Sequence, residues 1–487
     1  MMRKFKYIIL FALFMLGIVI AWNGGCARVV EPPKPINPSV LSVVPANGAT
    51  NIGANSVITA SFSKLMGFST INASTFTVSS SEGSVSGSLS FNNINYSTGY
   101  ATDVTFTPAN NLALNTNYTV IIAGSVRDNA GNQMGSDYTW SFKTSAAASA
   151  WRNVGNAGFS AGDVSHTSLA ADGSTLYIAY SDGGNSYKAT VQKFNGTSWE
   201  SVGSPGFSTG RADYTSLFIY SGTPYIAYKD LGLGNQVVVK KFNGSTWEDV
   251  GDPGSSNEVA WDLSFSIYNG TPYVAFMESA IQDGTVIKYS GGTWEVVGAR
   301  VFASGGAGLS IAVDNGIPYL AYSDNANGYK VTVRKYNTSA ATWEAVGTPG
   351  FSTGIMYAGS SSLKFYNGTP YIGFGDHGIN YGLARVMKFD GSNWVNVGSA
   401  GFSAGSANYN SLVFDNGTPY LAFADGGNND AATVMKFDGS SWVNVGNAGF
   451  SPGRADYTSM IIVNGIPYVG FMDYGNGKKA TVMKYTP

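Results

Sequence analysis

Seven carboxylates recur at regular spacing in the C-terminal part of the chain, each at the end of a short apolar run. They are Asp182, Asp230, Glu278, Asp324, Asp376, Asp425 and Asp473. Together with neighbouring serines, a ring of carboxylates on one face could hold a cation or the hydroxyl groups of a sugar. The alternative is that each carboxylate accepts N–H groups of its own loop or bonds a nearby serine. We favour this structural role, because a residue that every copy requires is expected to build the repeat.

A second set of candidates consists of residues that depart from the repeat. Their loops carry aromatic, acidic, basic and histidine side chains that could stack on and hydrogen-bond a sugar or a peptide. The alternative is sequence drift in loops that tolerate change. The candidate ligand-binding residues are Glu258, Trp261, Glu278, Arg300, Tyr357, Asp376, His377 and Tyr381.

Catalytic chemistry has little support in the residue inventory. The chain has two histidines, His166 and His377, and one cysteine, Cys26. Neither histidine has a nucleophile motif nearby, and the two do not have metal-ligand spacing. A carboxylate pair for glycoside cleavage stays open among so many aspartates. We therefore assign no catalytic residue, no metal and no cofactor, and glycoside cleavage ranks third among the functions considered.

Seven tandem copies of one unit of roughly 48 residues carry these candidates, and periods in this range indicate propellers or solenoids. Each unit opens with Trp-x-x-Val-Gly, which we name strand d. A Gly/Ser-rich loop, strand a with its serine, an Asn-Gly-type turn, strand b with its closing carboxylate, and strand c follow in order. The seven opening tryptophans are Trp151, Trp199, Trp247, Trp294, Trp343, Trp394 and Trp442.

Four strands per unit predict a seven-bladed β-propeller over residues 151–487. The array starts with strand d at Trp151 and stops after strand c at Tyr485. Pairing of this N-terminal strand d with the C-terminal strand c would close the ring and remove two exposed edges. In a propeller the d–a and b–c loops share one face, where we expect function. The turn Asp438–Trp442 resembles the Asp-box of sialidase-like propellers, although it is one residue shorter; that box is structural, so the resemblance implies the fold and not an activity.

Residues 37–144 alternate short period-2 apolar runs with turn signals, a pattern that predicts about seven strands in a β-sandwich. The segment resembles the bacterial Ig-like domains of surface-layer and adhesion proteins through Val44–Gly48, Ser61–Met66 and Trp140–Thr144. The resemblance implies a spacer domain. Residues 145–150 form a small, uncharged linker, so the folded chain is predicted to be all-β.

The N-terminus has the features of a secretory signal: a basic start precedes the apolar residues 7–22. The small residues before Cys26 resemble a bacterial lipobox, which implies a signal peptide of residues 1–25 and lipidation of Cys26. Asn23 departs from the aliphatic residue usual in that motif, and the alternatives are ordinary cleavage after Ala27 or an uncleaved anchor. Residues 26–36 form a proline-containing tether. We expect membrane attachment through a lipid anchor only, at the cell surface or in the periplasm.

Composition narrows the range of partners. Charged residues make up 12% of the chain, its formal net charge is −2, and no basic stripe is visible, so nucleic-acid binding is disfavoured. We expect a surface-tethered bacterial binding protein whose propeller face recognises a glycan or polymer, with the Ig-like domain as spacer. The main alternative is a protein–protein scaffold that binds another protein of the cell envelope. The sequence leaves the oligomeric state open.

Overall fold

The computed structural model describes residues 37–92, 100–145, 150–254, 259–278, 283–299, 301, 306–356 and 361–487. The chain divides into two compact units near residue 144. Regular structure in both units is β-strand apart from single-turn 3-10 helices at Phe68–Thr70, Gly183–Asn185, Leu231–Leu233, Asn325–Asn327, Gly426–Asn428 and Tyr474–Asn476. Among the described residues, no helix has the length and apolar character that crossing a membrane requires.

The first unit consists of two antiparallel sheets. Its described strands are β1 (Val40–Val44), β2 (Ala49–Ile52), β3 (Ile58–Gly67), β4 (Phe76–Ser80), β5 (Gly83–Ser84), β6 (Gly87–Asn92), β7 (Tyr100–Pro108), β8 (Asn117–Ile122) and β9 (Tyr138–Thr144). The sheet orders are β1-β3-β7-β6 and β2-β9-β8-β4-β5. Alternate residues of the strands are buried, so that Phe76 of one sheet stacks on Phe106 of the other with ring centroids 6.0 Å apart. This is the Ig-like sandwich that the period-2 pattern predicts.

The second unit consists of seven four-stranded antiparallel sheets, here called blades 1 to 7. The array begins with β10 (Ala150–Asn153), followed by blade 1 with β11 (Val164–Asp172), β12 (Thr175–Asp182), β13 (Lys188–Phe194) and β14 (Trp199–Ser201); blade 2 with β15 (Ala212–Tyr220), β16 (Thr223–Asp230), β17 (Gln236–Phe242) and β18 (Trp247–Asp249); and blade 3 with β19 (Ala260–Tyr268), β20 (Thr271–Glu278), β21 (Asp283–Ser290) and β22 (Thr293–Val296). Next come blade 4 with β23 (Gly306–Asp314), β24 (Ile317–Asp324), β25 (Lys330–Asn337) and β26 (Thr342–Ala345); blade 5 with β27 (Ser361–Tyr366), β28 (Thr369–Asp376), β29 (Leu383–Phe389) and β30 (Trp394–Asn396); blade 6 with β31 (Ala407–Asp415), β32 (Thr418–Asp425), β33 (Ala431–Phe437) and β34 (Trp442–Asn444); and blade 7 with β35 (Ala455–Val463), β36 (Ile466–Asp473) and β37 (Lys479–Thr486). In blades 1 to 6 these are strands a, b, c and d in order.

The two ends of the array meet in blade 7. Strand β10 pairs antiparallel with β37, with Trp151 opposite Tyr485, and supplies the strand d that blade 7 would otherwise lack. The inner strands of blades 7 and 1 also touch, because the backbone N–H of Leu169 donates to the Ser459 hydroxyl at 2.9 Å. The same contact joins blade 1 to blade 2, where the N–H of Leu217 donates to the hydroxyl of the strand a serine. This is the strand arrangement of a seven-bladed propeller, with the predicted pairing of its two ends.

The repeated tryptophan fastens each blade to the one before it. Its indole N–H donates to the carbonyl of the valine in the preceding Trp-x-x-Val-Gly motif, at 2.7 to 3.0 Å in all seven copies. The phenylalanine of the d–a loop adds a stacking contact, as between Phe450 and Trp151 with centroids 3.9 Å apart. The motif therefore holds adjacent blades together.

Candidate functional site

The inner strand of a blade begins with a β-bulge next to the d–a loop. Six bulges are described, and each contains one residue with positive φ, for example 53° at His166 and 54° at Tyr457. This backbone region costs a residue other than glycine about 1 kcal/mol or more, so the surrounding structure must hold the bulge in place. The bulge residues are His166, Tyr214, Asp262, Gly308, Tyr409 and Tyr457.

Four bulge side chains from consecutive blades form an aromatic arc. Passing from blade 6 through blades 7 and 1 to blade 2, the ring centroids of Tyr409, Tyr457, His166 and Tyr214 are 4.9, 4.7 and 4.8 Å apart in turn. Each bulge carbonyl in the first three of these blades accepts a hydrogen bond from a threonine hydroxyl of the next blade. The donating residues are Thr458, Thr167 and Thr215. Hydrogen bonds between blades thus position the arc.

Blades 3 and 4 complete the mouth of the central channel with different chemistry. Trp261 is 54% exposed, and it lines the same cavity as Asp262 and Glu278. Blade 4 contributes the small residues Gly306 and Ala307. The cavity between this side and the aromatic arc has a volume of about 730 Å³. We call these residues and the arc the channel mouth.

A cluster of charges lies beside the arc and centres on Asp213. Its Oδ1 accepts a hydrogen bond from Arg211 Nε at 2.8 Å, and its Oδ2 lies 3.3 Å from Lys229 Nζ. The Nε2 atom of His166 is 3.9 Å from Oδ1. The Lys229 ammonium group also lies 5.5 Å from the ring centre of Trp261. The aromatic faces of the channel mouth therefore lie next to closely spaced hydrogen-bond donors and acceptors.

Burial sets the protonation of the arc. It lowers the pKa of His166 to about 4, although Asp213 opposes the shift, while Arg211 and Lys229 add to it. Burial raises the pKa of Tyr214 and of Tyr409 to about 12. At neutral pH the imidazole is uncharged and both phenols keep their protons. General acid–base catalysis works best with a pKa near the operating pH, whereas these shifts lead away from neutrality and suit hydrogen bonding.

The pKa values of two carboxyl groups, Asp213 and Asp262, shift in opposite directions. Burial would raise the pKa of Asp213, but the hydrogen bond from Arg211 and the charges around the carboxylate give a net lowering. Burial raises the pKa of Asp262, against the N–H groups of Leu309 and Gly308 that donate to it. Asp213 is therefore the anionic partner of the cluster, while Asp262 ties blade 3 to blade 4.

The repeat carboxylates face inward, into their own loops. Asp182 Oδ1 accepts the N–H groups of Gly184 and Gly162, each at 3.1 Å, and Oδ2 accepts the Asn185 amide at 2.7 Å. An N–H two residues further along the chain donates in the same way to Asp230, Asp324, Asp376, Asp425 and Asp473. These aspartates are at most 4% exposed, so they do not form a solvent-facing ring. The strand a serine accepts an N–H of the next blade instead of bonding the carboxylate.

The candidates predicted from irregular loops do not form one cluster. Trp261 and Glu278 meet at the channel mouth. Asp376 is fully buried, and its carboxylate accepts a hydrogen bond from the Arg385 guanidinium at 2.7 Å, so it is not available to a ligand. His377 and Tyr381 follow in the b–c loop of blade 5, outside the residues that line the mouth; Tyr381 is 89% exposed.

Three candidates, Glu258, Arg300 and Tyr357, lie outside the described residues, as does Cys26. Within the described part of the chain, no group of three or more His, Cys, Asp or Glu side chains is arranged to hold a metal ion.

Sequence reasoning missed the bulge residues, which are the main contributors to the mouth. The available signal was weak, because the neighbouring positions vary as well. Two residues before the strand a serine, the copies read His166, Tyr214, Asp262, Gly308, Tyr409 and Tyr457. Because two copies share the segment Gly-Arg-Ala-Asp-Tyr, this position looked like an ordinary part of the repeat. A β-bulge has no periodic signature in the sequence, so the direction in which these side chains point could not be predicted.

Comparisons with known proteins support the fold of the first unit. Residues 34–144 match the family model of the bacterial Ig-like domain. No curated protein matches the chain significantly. One similar solved structure is an ulvanlyase from a new polysaccharide lyase family, at 16% identity over 68% of this chain and 95% of that chain, with a TM-score of 0.42. Another is a Trypanosoma rangeli sialidase mutant that displays trans-sialidase activity, at 10% identity over 69% of this chain and 59% of that chain, with a TM-score of 0.40. With TM-scores this low, neither similarity supports an inference about activity.

Proposed function

We propose that the channel mouth of the propeller binds a glycan and that the Ig-like unit is its spacer outside the cytoplasm. The observation that carries the proposal is a cavity of about 730 Å³ that the aromatic arc and a half-exposed Trp261 line together. This volume is within the range of roughly 300–1,000 Å³ typical of small-ligand sites. The lining of this cavity combines aromatic side chains, Trp261 among them, with a few polar groups, which is typical of ligand sites.

The chemistry of the mouth suits a sugar. A pyranose ring has apolar C–H faces that pack on indole and phenol rings, and hydroxyl groups at its edge that both donate and accept hydrogen bonds. Glu278 supplies a carboxylate among the lining residues. The tyrosine hydroxyls of the arc add groups that can donate or accept. One ring could therefore stack on Trp261 while its hydroxyls reach Glu278 and the arc.

A glycan array probed with the full chain tests this proposal, with Trp261→Ala as the site variant. Binding should fall by about tenfold or more, because one stacking aromatic contributes on the order of 1–2 kcal/mol at a binding site. Tyr381→Ala is the matched control, since its ring is exposed on a b–c loop outside the mouth. If Tyr381→Ala removes binding and Trp261→Ala does not, the site lies on blade 5. If no polysaccharide binds and an envelope protein co-purifies instead, the scaffold function replaces the glycan proposal.

We also propose that the protein is attached to the membrane by lipidation of Cys26. The lipobox-like sequence before this residue supports the proposal. The tether of residues 26–36 would separate the Ig-like unit from the bilayer. Labelling of cells with a radioactive fatty acid tests it. Label should enter the native chain and be absent from Cys26→Ser. Equal label in both proteins would refute lipidation at this residue.

A further inference from the structure

One five-residue segment, Gly-Arg-Ala-Asp-Tyr, occurs twice at the channel mouth. It forms residues 210–214 in blade 2 and residues 453–457 in blade 7. In each copy the tyrosine is the bulge residue that joins the aromatic arc. The arginine position is not part of blade construction, because other blades carry Asp163, Val259 or Ser406 there. The two arginines therefore need an explanation other than the fold.

The guanidinium group of Arg211 is fixed in place from two sides. Its Nε donates to Asp213 Oδ1 at 2.8 Å, and its central carbon lies 5.0 Å from the ring centre of Tyr187. Its side chain is nevertheless 45% exposed, whereas that of Asp213 is 14% exposed. The carboxylate thus lies beneath the guanidinium, which faces the solvent.

Arg454 repeats this geometry in blade 7. Its Nε donates to Asp456 Oδ1 at 2.7 Å, and its central carbon lies 5.3 Å from the ring centre of Tyr474. The side chain is 46% exposed above a carboxylate that is 6% exposed. Its Nη1 atom is 3.8 Å from Asp430 Oδ2, within ion-pair distance but beyond hydrogen-bond distance. Unlike Arg211, its guanidinium also shares a hydrogen bond with the Tyr409 side chain of the arc.

The two arginines flank the aromatic arc beside the channel mouth, and neither is among the residues that line the cavity. The tyrosines of the two segments, Tyr214 and Tyr457, pack on opposite sides of His166, with centroids 4.8 and 4.7 Å from it. A guanidinium anchored through Nε keeps N–H groups on its outer edge for a further partner. That edge matches the two oxygens of a carboxylate or of a sulfate ester, and little side-chain freedom remains to be lost on binding.

We propose that Arg211 and Arg454 are subsites for the acidic groups of an anionic polysaccharide, one group at each arginine, beside the channel mouth. This proposal rests on the proposed function and specifies the class of glycan. The buried Asp213 and Asp456 orient the two cations without covering them, so an approaching anion meets the guanidinium edges first. Trp261 and the aromatic arc contact the sugar rings between the acidic groups.

Isothermal titration calorimetry of the full chain with three polymers tests the proposal: polygalacturonate for carboxylates, dextran sulfate for sulfate esters, and neutral dextran. Arg211→Met and Arg454→Met should each weaken the binding of one or both acidic polymers about tenfold, as loss of a charge-assisted bidentate contact predicts. Both variants should leave any dextran binding unchanged. Arg152→Met is the matched control, because Arg152 is exposed on β10 and is not part of a Gly-Arg-Ala-Asp-Tyr segment.

Arg454→Met leaves the Asp456 carboxylate without its cation and could disturb folding. Arg454→Lys is therefore the second variant, because it keeps the charge but lacks the planar pair of N–H groups. A several-fold loss of affinity at an unchanged unfolding temperature supports the bidentate contact. Acidic binding that is insensitive to both arginines, or equally sensitive to Arg152→Met, overturns the proposal. Binding to dextran alone that requires Trp261 overturns it while leaving the proposed function intact. Absence of binding to every polysaccharide overturns both.

Discussion

Replacement of Asp376 by alanine should cost about 4 kcal/mol of the free energy of unfolding, as expected for breaking a buried ion pair. The fully buried carboxylate accepts a hydrogen bond from Arg385 Nη1 at 2.7 Å. It also accepts the N–H groups of Thr353, Gly354 and Gly378 at 3.0, 2.8 and 3.0 Å. The variant leaves a guanidinium that is 10% exposed without its anion, and three N–H groups lose an acceptor.

Asp425→Ala is the matched comparison in blade 6. Its carboxylate accepts the N–H groups of Gly405 and Gly427 at 3.1 and 3.0 Å and the Asn428 amide at 2.8 Å, and all of its described partners are uncharged. Loss of neutral hydrogen bonds alone should cost about 2 kcal/mol. The difference between the two variants, about 2 kcal/mol, measures the cost of leaving the buried Arg385 without its carboxylate partner.

Equilibrium unfolding in urea, followed by tryptophan fluorescence of the full chain, gives both values from the shift in midpoint at constant slope. The double variant Asp376→Ala, Arg385→Met should recover much of the loss, because it removes the uncompensated charge. The reasoning is refuted if Asp376→Ala costs no more than Asp425→Ala, or if the double variant recovers nothing. Unchanged stability with lost glycan binding would instead make these carboxylates ligand-binding groups.

Three further outcomes are expected. Folding lowers the pKa of His166 from 6.5 to about 4, so between these pH values the unfolded chain binds a proton that the folded chain does not. The free energy of unfolding should therefore fall as the pH decreases through this window, by up to about 1.4 kcal/mol per pH unit. Urea midpoints that fall equally steeply in His166→Phe would contradict this. Trp151→Ala removes a buried indole and its hydrogen bond to the Val445 carbonyl and should cost about 3–5 kcal/mol, measured by the same unfolding; a loss below 1 kcal/mol would mean that β10 does not hold blade 7. Gly405→Ala places a Cβ 2.0 Å from the backbone N of Gly427, so a large fall in the unfolding temperature is expected in a thermal scan, and an unchanged temperature would show that the two loops separate easily.

Local patterns made most of the fold predictable. Alternating apolar residues specify which face of each strand is buried, and a turn signal such as Asn416-Gly417 marks where one strand ends and the next begins. The tryptophan spacing then counts the blades. The pairing of β10 with β37 was also predictable, because the array starts with strand d and stops after strand c. These features depend on a few neighbouring residues and on their repetition, both of which a single sequence contains.

The candidate site was less predictable because its residues are remote in sequence. Trp261 was predicted as a candidate, since it departs from the repeat, but its partners His166, Tyr214 and Tyr457 were not. They are brought together because each is the bulge residue of an inner strand, and the inner strands meet at the centre of the propeller. The φ values that direct their side chains into the mouth are maintained by hydrogen bonds from neighbouring blades, to which the local sequence gives no clue.

The sequence by itself determined the strands, their count and the order of the blades, since alternation and repetition act over a few residues at a time. Only the tertiary structure decided which polar groups are exposed and which are buried. The carboxylate of Asp376 looks available in the sequence, yet the packing of two loops buries it against Arg385. Arg211 looks like an ordinary part of the repeat, yet Asp213 and Tyr187 hold its guanidinium in place while its side chain stays 45% exposed. The physical reason is that exposure and hydrogen-bond partners depend on which loops come together around the propeller, and those loops are distant along the chain.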